Sequence, residues 1–443
     1  MDSSLIEQLN DPSRAKRLAA AREVGGLIQS GELQTERKQE VNNHVHTRYS
    51  FSPYYPAMAG FKAWEAGLTT VGCIDHDSVS GGQEMIDASA CFGIASTIGC
   101  EVRVNADGTA VEGRKLNNPN TVNNAYVVIH GLPPRQIDKA REYLRPIAKA
   151  RGLRNRKMVE AFNQRLATLG IQSLDYENDV EAVSEVRDGG SITERHLLYA
   201  LVLKLIAHCG KGEPLVHFVE SELSVEIPDK IRALLADAAN PHYEYDLLGI
   251  LKSTFLDDVF IQPDNEECIS VYDFIPFVLS IGAIPAYAYL GDVRGSATGD
   301  KKDEKFEDDY LDELMPELKR IGFQAITYMP PRNSLGQLVR VQELCREYDF
   351  MEITGVDINS SRQSFNCPII TEPAFVHLID STWALIAHEK LANHDETLGL
   401  FHQGNPLAAK PLGERIAVYA DIGRRMDCFH PDSIVAAAEE LGL

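Results

Sequence analysis

A chain of 443 residues has room for two or three domains or one large α/β domain with insertions, and 44% hydrophobic with 24% charged residues is the make-up of an ordinary globular protein. A net charge of −22 repels polyanions at long range, which argues against an extended nucleic-acid surface but leaves room for a local cationic pocket holding one phosphate. No apolar run approaches the roughly 20 residues that span a bilayer, the start lacks the basic and apolar regions of a signal peptide, and the 8 cysteines stand singly without a CxxC pair, so a reduced, cytoplasmic protein without a membrane partner is expected.

Residues 3–30 carry helical patterning, with Leu5, Leu9, Leu18, Val24 and Ile28 recurring on one face and Asp11-Pro12 as a break, which predicts a helical N-terminal extension over 1–40. Val41–His46 reads as a first strand. Side chains two apart on a strand share a face, so His44 and His46 emerge together as a natural pair of metal ligands. A helix around 59–66 leads to a second strand, 69–74, that ends in Asp75-His76-Asp77-Ser78. After a helix near 82–92 comes a third strand, 95–104, carrying Glu101, and then a fourth, 125–129, that runs into His130. Four strands in succession thus deliver a His, Asp or Glu at or near the C-terminal end, where α/β barrels build their active sites.

From about 133 to 245 the strand signal gives way to a helical insertion. It includes a basic stretch at 145–166 and a capped amphipathic helix over 191–207, headed by Ser191 or Thr193. Strands return at 284–288, 324–329 and 351–356, the last running into Asp357-Ile358-Asn359, with helices near 271–280, 306–321 and 334–348 between them. An acidic run at 303–309 reads as solvated surface. The α/β barrel is expected over 41–132 and 246–360, followed by a helical C-terminal extension over 361–443. In that extension His388-Glu389 and His394 do not make an HExxH motif, because the second histidine is six residues from the first instead of four; with His402 they are expected in core or surface roles.

Taken in order, HVHTRYS (44–50), CIDHDSVSG (73–81), a strand with Glu101, His130 and GVDIN (355–359) resemble the polymerase and histidinol phosphatase (PHP) superfamily, and ITERHLLYAL (192–201) resembles the capping segment of its small phosphoesterases. The resemblance covers roughly 41–360. It implies a distorted seven-stranded βα barrel and a centre of two or three divalent metal ions (Mn, Zn or Fe). It also implies hydrolysis of phosphate mono- or diesters, nucleotides among them, by a metal-activated water, with a small phosphorylated substrate as partner. Hydrolysis of an amide or lactone, or ligand binding without turnover, are the alternatives.

Position by position, the resemblance implies a first metal site of His44, His46, Glu101 and Asp357, with Glu101 bridging to a second ion that His130 completes. His76 is implied as ligand to a third. Asp75 and Asp77 would orient His76 or bind metal weakly. Arg195 and His196 would clamp phosphate on the lid, with Arg332 and Arg362 next in line. The chain departs from the family pattern at 50–53, where an Asp is usual. It also carries Tyr289 and Asn359 where the family has histidines; a Tyr can ligate or donate a proton, and an Asn can bind weakly through oxygen.

Overall fold

The computed structural model describes residues 3–118, 121–292 and 306–443, so residues 303–305 of the acidic run lie outside the described residues. Two helices, α1 (Ser3–Gln8) and α2 (Arg14–Gln29), open the chain, and an extended segment carries His44 and His46. Pro56 starts α3 (Pro56–Glu65), a position where its missing N–H costs nothing. Then come β1 (Thr70–His76), α4 (Gly82–Phe92), which ends at Gly93 in the left-handed conformation, and the strands β2 (Ala95–Asn105) and β3 (Asn124–His130). A helical stretch follows: α5 (Ile137–Thr168), α6 (Glu194–Cys209), α7 (Glu213–Ser221), α8 (Asp229–Ala236) and α9 (Tyr243–Val259). The alternation resumes with β4 (Ile269–Ser270), α10 (Val271–Ser280), β5 (Ile284–Ala288), α11 (Leu311–Ile321), β6 (Ala325–Tyr328), α12 (Leu335–Tyr348) and β7 (Met351–Thr354). Three helices, α13 (His377–His394), α14 (Leu412–Arg425) and α15 (Ile434–Glu440), complete the chain.

The seven strands form one curled sheet in the order β1-β2-β3-β5-β6-β7, with β4 added beside β2. All its pairings are parallel except those of β3, which runs against both neighbours. The cause is the connection. Residues 106–123 join β2 to β3 through turns rich in Gly and Asn, with no helix among the described residues, and a strand returning beside its predecessor without a crossover must run antiparallel.

The expected strand at 41–46 is an extended segment with single bridges on either side of Val45, to Cys73 and to Ile358. Its backbone bonds both ways: Val45 N to Gly72 O (2.9 Å) and His46 N to Ile358 O (3.0 Å). Side-chain amides take over where a ladder would continue, Asn42 with both backbone groups of Val356 and Asn43 with the Thr354 carbonyl, and this keeps the run from being a regular strand. The fit is tight. A Cβ on Gly72 would lie 2.6 Å from Asn43 Cα, and one on Gly355 would lie 2.6 Å from the backbone nitrogen of His44.

Three main apolar clusters fill the chain. The largest lies between the sheet and the helices α2–α4 and α10–α12. A second holds together α5–α9, continuing through Leu247, Leu251, Phe255 and Val259, past residue 245. The third joins Ala95, Ile284, Ala325 and Met351, the first residues of β2, β5, β6 and β7, to Ala384, Leu385 and Ala387 of α13. This helix therefore seals the N-terminal ends of the parallel strands. Glu389 of α13 is buried there and accepts from Ile98 N and Thr97 Oγ1, both at 2.7 Å, which accounts for the His388-Glu389 pair as core.

Gly72→Ala places a methyl against backbone that has no flexible end to move, and overpacking of this kind costs about 1–3 kcal/mol. Gly26→Ala, in the exposed interior of α2 with nothing within 4 Å of the new Cβ, should instead stabilise by about 0.5–1 kcal/mol. Equilibrium urea denaturation of the two variants checks both signs; equal midpoints would refute the packing argument.

Candidate metal centre

The C-terminal ends of the parallel strands collect five donors. His76 is the last residue of β1, Glu101 lies beside it on β2 in register, Asp357 follows β7, and the 41–46 segment brings His44 and His46 between β1 and the residues after β7. Two overlapping groups result, His44–His46–Asp357 and His46–His76–Glu101, each with ligand atoms within 4.8 Å of one another. His46 Nε2 is 3.2 Å from Asp357 Oδ1, His76 Nδ1 is 3.2 Å from Glu101 Oε2, and His44 Nε2 is 3.9 Å from the same Glu101 oxygen. Glu101 thus sits nearest His76, on the second group, with the same oxygen facing His44 of the first.

Burial sets the protonation states. It pulls His44 down to about 4, helped by His46, and carries His76 well below its usual value. The same burial pushes Glu101 up to about 7 against the pull of His46. Burial also lowers His46, but Asp357, Glu101 and Asp75 together outweigh it and the net shift is upward, while Asp357 is held far below the carboxylate range, despite its own burial, by His46, His44 and Arg195. Imidazoles and hard carboxylates crowded into a buried space are a donor set suited to Zn, Mn or Fe.

Two flanking groups fix these donors. Asp75 is buried and accepts from Thr47 N (2.7 Å), Thr47 Oγ1 (2.6 Å) and Ser50 Oγ (2.6 Å), and Ser50 Oγ lies 3.3 Å from His46 Nδ1. Asp75 therefore acts through Ser50 on His46, and its oxygens are taken. Asn359 Nδ2 donates to Asp357 Oδ1 at 2.6 Å. A carboxylate can only accept, so the amide nitrogen must face it, and Asn359 orients a donor in place of being one.

Other expected site residues are placed elsewhere. His130 ends the antiparallel β3, opposite Ile284 at the start of β5; it is fully buried, with neither ring nitrogen hydrogen-bonded, and burial, to which a charge on the nearby His44 ring adds, pulls it down to about 3. Four parallel strands would have put His130 level with the other donors; because β3 runs antiparallel, it falls outside both groups. His196 caps α6: its Nδ1 accepts from Thr193 N at 3.0 Å and its ring stands edge-on to Phe51, away from the cavity. Tyr289 lines the cavity, but its hydroxyl donates to Asp308 at 2.5 Å. Asp77 is paired with Arg151 at 2.6 Å, and Arg362 is paired with Asp246.

Above the donors lies a cavity of about 280 Å³ between the strand ends and α5, α6 and α9, with Arg195 on its wall beside Asp357 and His76. Arg103, Arg151, Tyr126 and Arg332 also line it. Sequence reading passed over Arg103, although its signal was present: two residues after Glu101 on one strand, it must share that face. Arg103, Arg151 and Arg154 are buried with Asp77 and Glu267 and meet the half-buried Glu194 in one ion network, in which Arg151 spans Asp77 and Glu194 at 2.6 Å each and Arg154 meets Glu267 at 2.6 Å. Glu194, next to Arg195, resists its own burial and is held well below its ordinary value by the three arginines.

No helix among the described residues is long and apolar enough to cross a membrane. No family model and no curated protein matches the chain. Among solved structures, a candidate metal-dependent phosphoesterase from Bifidobacterium adolescentis overlays 78% of this chain and 96% of its own, with a TM-score of 0.50 at 18% identity. An amidohydrolase from Chromobacterium violaceum with bound sulfate and no metal covers 77% of this chain and 96% of its own at 15% identity and a TM-score of 0.47. At 18% identity the first likeness is one of fold: this chain has a mixed α/β architecture with a curled sheet, of the kind found in that protein.

Proposed function

We propose that the protein is a metal-dependent hydrolase of phosphate mono- or diesters, built on a PHP-type fold and acting on a small phosphorylated substrate. The observation that carries this reading is Arg195: it lines the cavity beside His76 and Asp357, and its guanidinium makes no hydrogen bond or ion pair with a described residue. An unpaired cation facing a donor cluster suits a substrate that brings its own negative charge, and a guanidinium matches phosphoryl oxygens in a fork. An amide or lactone would leave it unanswered. The likeness to a candidate metal-dependent phosphoesterase points the same way.

His44, His46 and Asp357 would hold one divalent ion, and His76 with Glu101 would contribute to a second. Mn, Zn or Fe bound there supplies Lewis acidity for a phosphoryl oxygen and for water at neutral pH. The chain's own part is positional. Arg195 takes a non-bridging phosphoryl oxygen, Asp75 through Ser50 and Asn359 keep His46 and Asp357 aimed, and the helices over the cavity restrict bulk water.

Chelator-stripped protein reloaded with Mn²⁺ or Zn²⁺ should hydrolyse p-nitrophenyl phosphate or bis-p-nitrophenyl phosphate, and His44→Ala should lose both bound metal, by elemental analysis, and the metal-dependent rate. A broad phosphoester panel left untouched by the reloaded protein, with His44→Ala indistinguishable from it, would sink the proposal. Arg195→Gln should lower kcat/KM on the order of 100-fold while metal content holds, and Arg195→Lys should recover part of it. Asn359→Ala should weaken metal affinity on the order of 10- to 100-fold, as expected when a group orienting a ligand is lost; a competitive chelator titration showing no change would assign Asn359 a purely structural part.

A further inference from the structure

A second cavity, of about 550 Å³, lies along the other side of α5, between that helix and the 184–192 segment. It shares no lining residue with the cavity over the metal centre. Its cations are out of keeping with a chain of net charge −22: Arg141, Arg145 and Lys149 follow one another at four-residue spacing on the helix, with Arg156 and Arg187 nearby, against Asp77 and Glu181. Arg141 is bonded to Asp138 and Ser80, and Arg156 to Glu177 and Glu181. Arg145 and Lys149 have no hydrogen bond or ion pair among the described residues, and like charges one turn apart repel each other.

The rest of the lining is apolar, with Leu144, Val186 and Ile192 buried or half-buried, and Leu153 left 52% exposed on the wall. Shape and charge together ask for one kind of occupant. We propose that this cavity binds a small organic anion with an apolar body, its charge between Arg145 and Lys149 and its body over Leu153, and that its occupancy is felt at the metal centre.

The second part follows from how thin the partition is. At three places consecutive residues face opposite cavities: His76 and Asp77, Arg151 and Gly152, Thr193 and Ile192. Arg151 ties them together, donating to Asp77 on one side and to Glu194, the residue before Arg195, on the other, each at 2.6 Å. A ligand that shifts Asp77 or Ile192 therefore moves the support of Arg195. None of this depends on the phosphoesterase reading.

The probe is 8-anilinonaphthalene-1-sulfonate, an aromatic anion, titrated into the full chain by fluorescence. Saturable binding to one site is expected. Arg145→Glu with Lys149→Glu should weaken it about tenfold or more, while circular dichroism and the thermal midpoint hold, since both side chains are exposed. Arg195→Gln should leave the binding as it is. Binding that survives the charge reversal, or that Arg195→Gln abolishes, overturns the site. Hydrogen–deuterium exchange tests the coupling without any metal: probe at saturation should slow exchange in peptides spanning 190–200, and unchanged exchange there overturns it.

Discussion

Six charges at the meeting of sheet and helices, five of them buried and Glu194 half-buried, decide how the molecule is put together. Arg103 comes from β2 and Asp77 from the residue after β1, Arg151 and Arg154 from α5, Glu194 from the head of α6, and Glu267 from the approach to β4. Three cations face three carboxylates, so the set is neutral as a whole and intolerable in part: taking one partner from a buried pair leaves a stranded charge at a cost of about 3–5 kcal/mol. Such sets add little net stability, because desolvation consumes most of the attraction. What this one dictates is position. The helices over the cavity can dock in the single arrangement that pairs every charge, and that arrangement sets Arg195 beside Asp357 and His76.

The donors below are positioned by backbone, not by charge. Close approach at Gly72 and Gly355 lets the 41–46 segment lie between β1 and the residues after β7, and the amides of Asn42 and Asn43 hold it there. Behind the donors stands a layer of neutral hydrogen-bonding groups, Ser50 and Asn359, each touching one ligand atom or ring nitrogen. Asn359 and Tyr289 are thus unlike one another. Asn359 supports Asp357, whereas Tyr289 is turned to Asp308 and belongs to the loop packing around it.

How much of this could be read from the sequence follows from the range of the interactions. His44, His46, His76, Glu101 and Asp357 were legible because each is marked locally, by two-residue periodicity or by standing at a strand end. Helix α4 was legible for the same reason, its apolar spacing ending at a glycine that closes it. His130 falls outside both donor groups because its position depends on strand direction, and the turn-rich connection before β3, with no helix among its described residues, is the local feature that sets that direction. His196 looked like a clamp since its neighbour is one; that its ring turns back to cap α6 depends on Thr193 and on Phe51, well over a hundred residues earlier. The helices after 360 looked like an appendage, because nothing local says that Leu385 and Glu389 meet the beginnings of four strands.

The bonding of Asn42 to Val356 joins residues 314 apart. During synthesis the two histidines of the first segment are made early, yet they have no carboxylate from the far end until nearly the whole chain has emerged. Closing so long a loop is among the slower steps of folding. A nascent or truncated chain therefore presents His44 and His46 without the Asp357 that completes their group, while His46, His76 and Glu101 are all made within the first quarter of the chain.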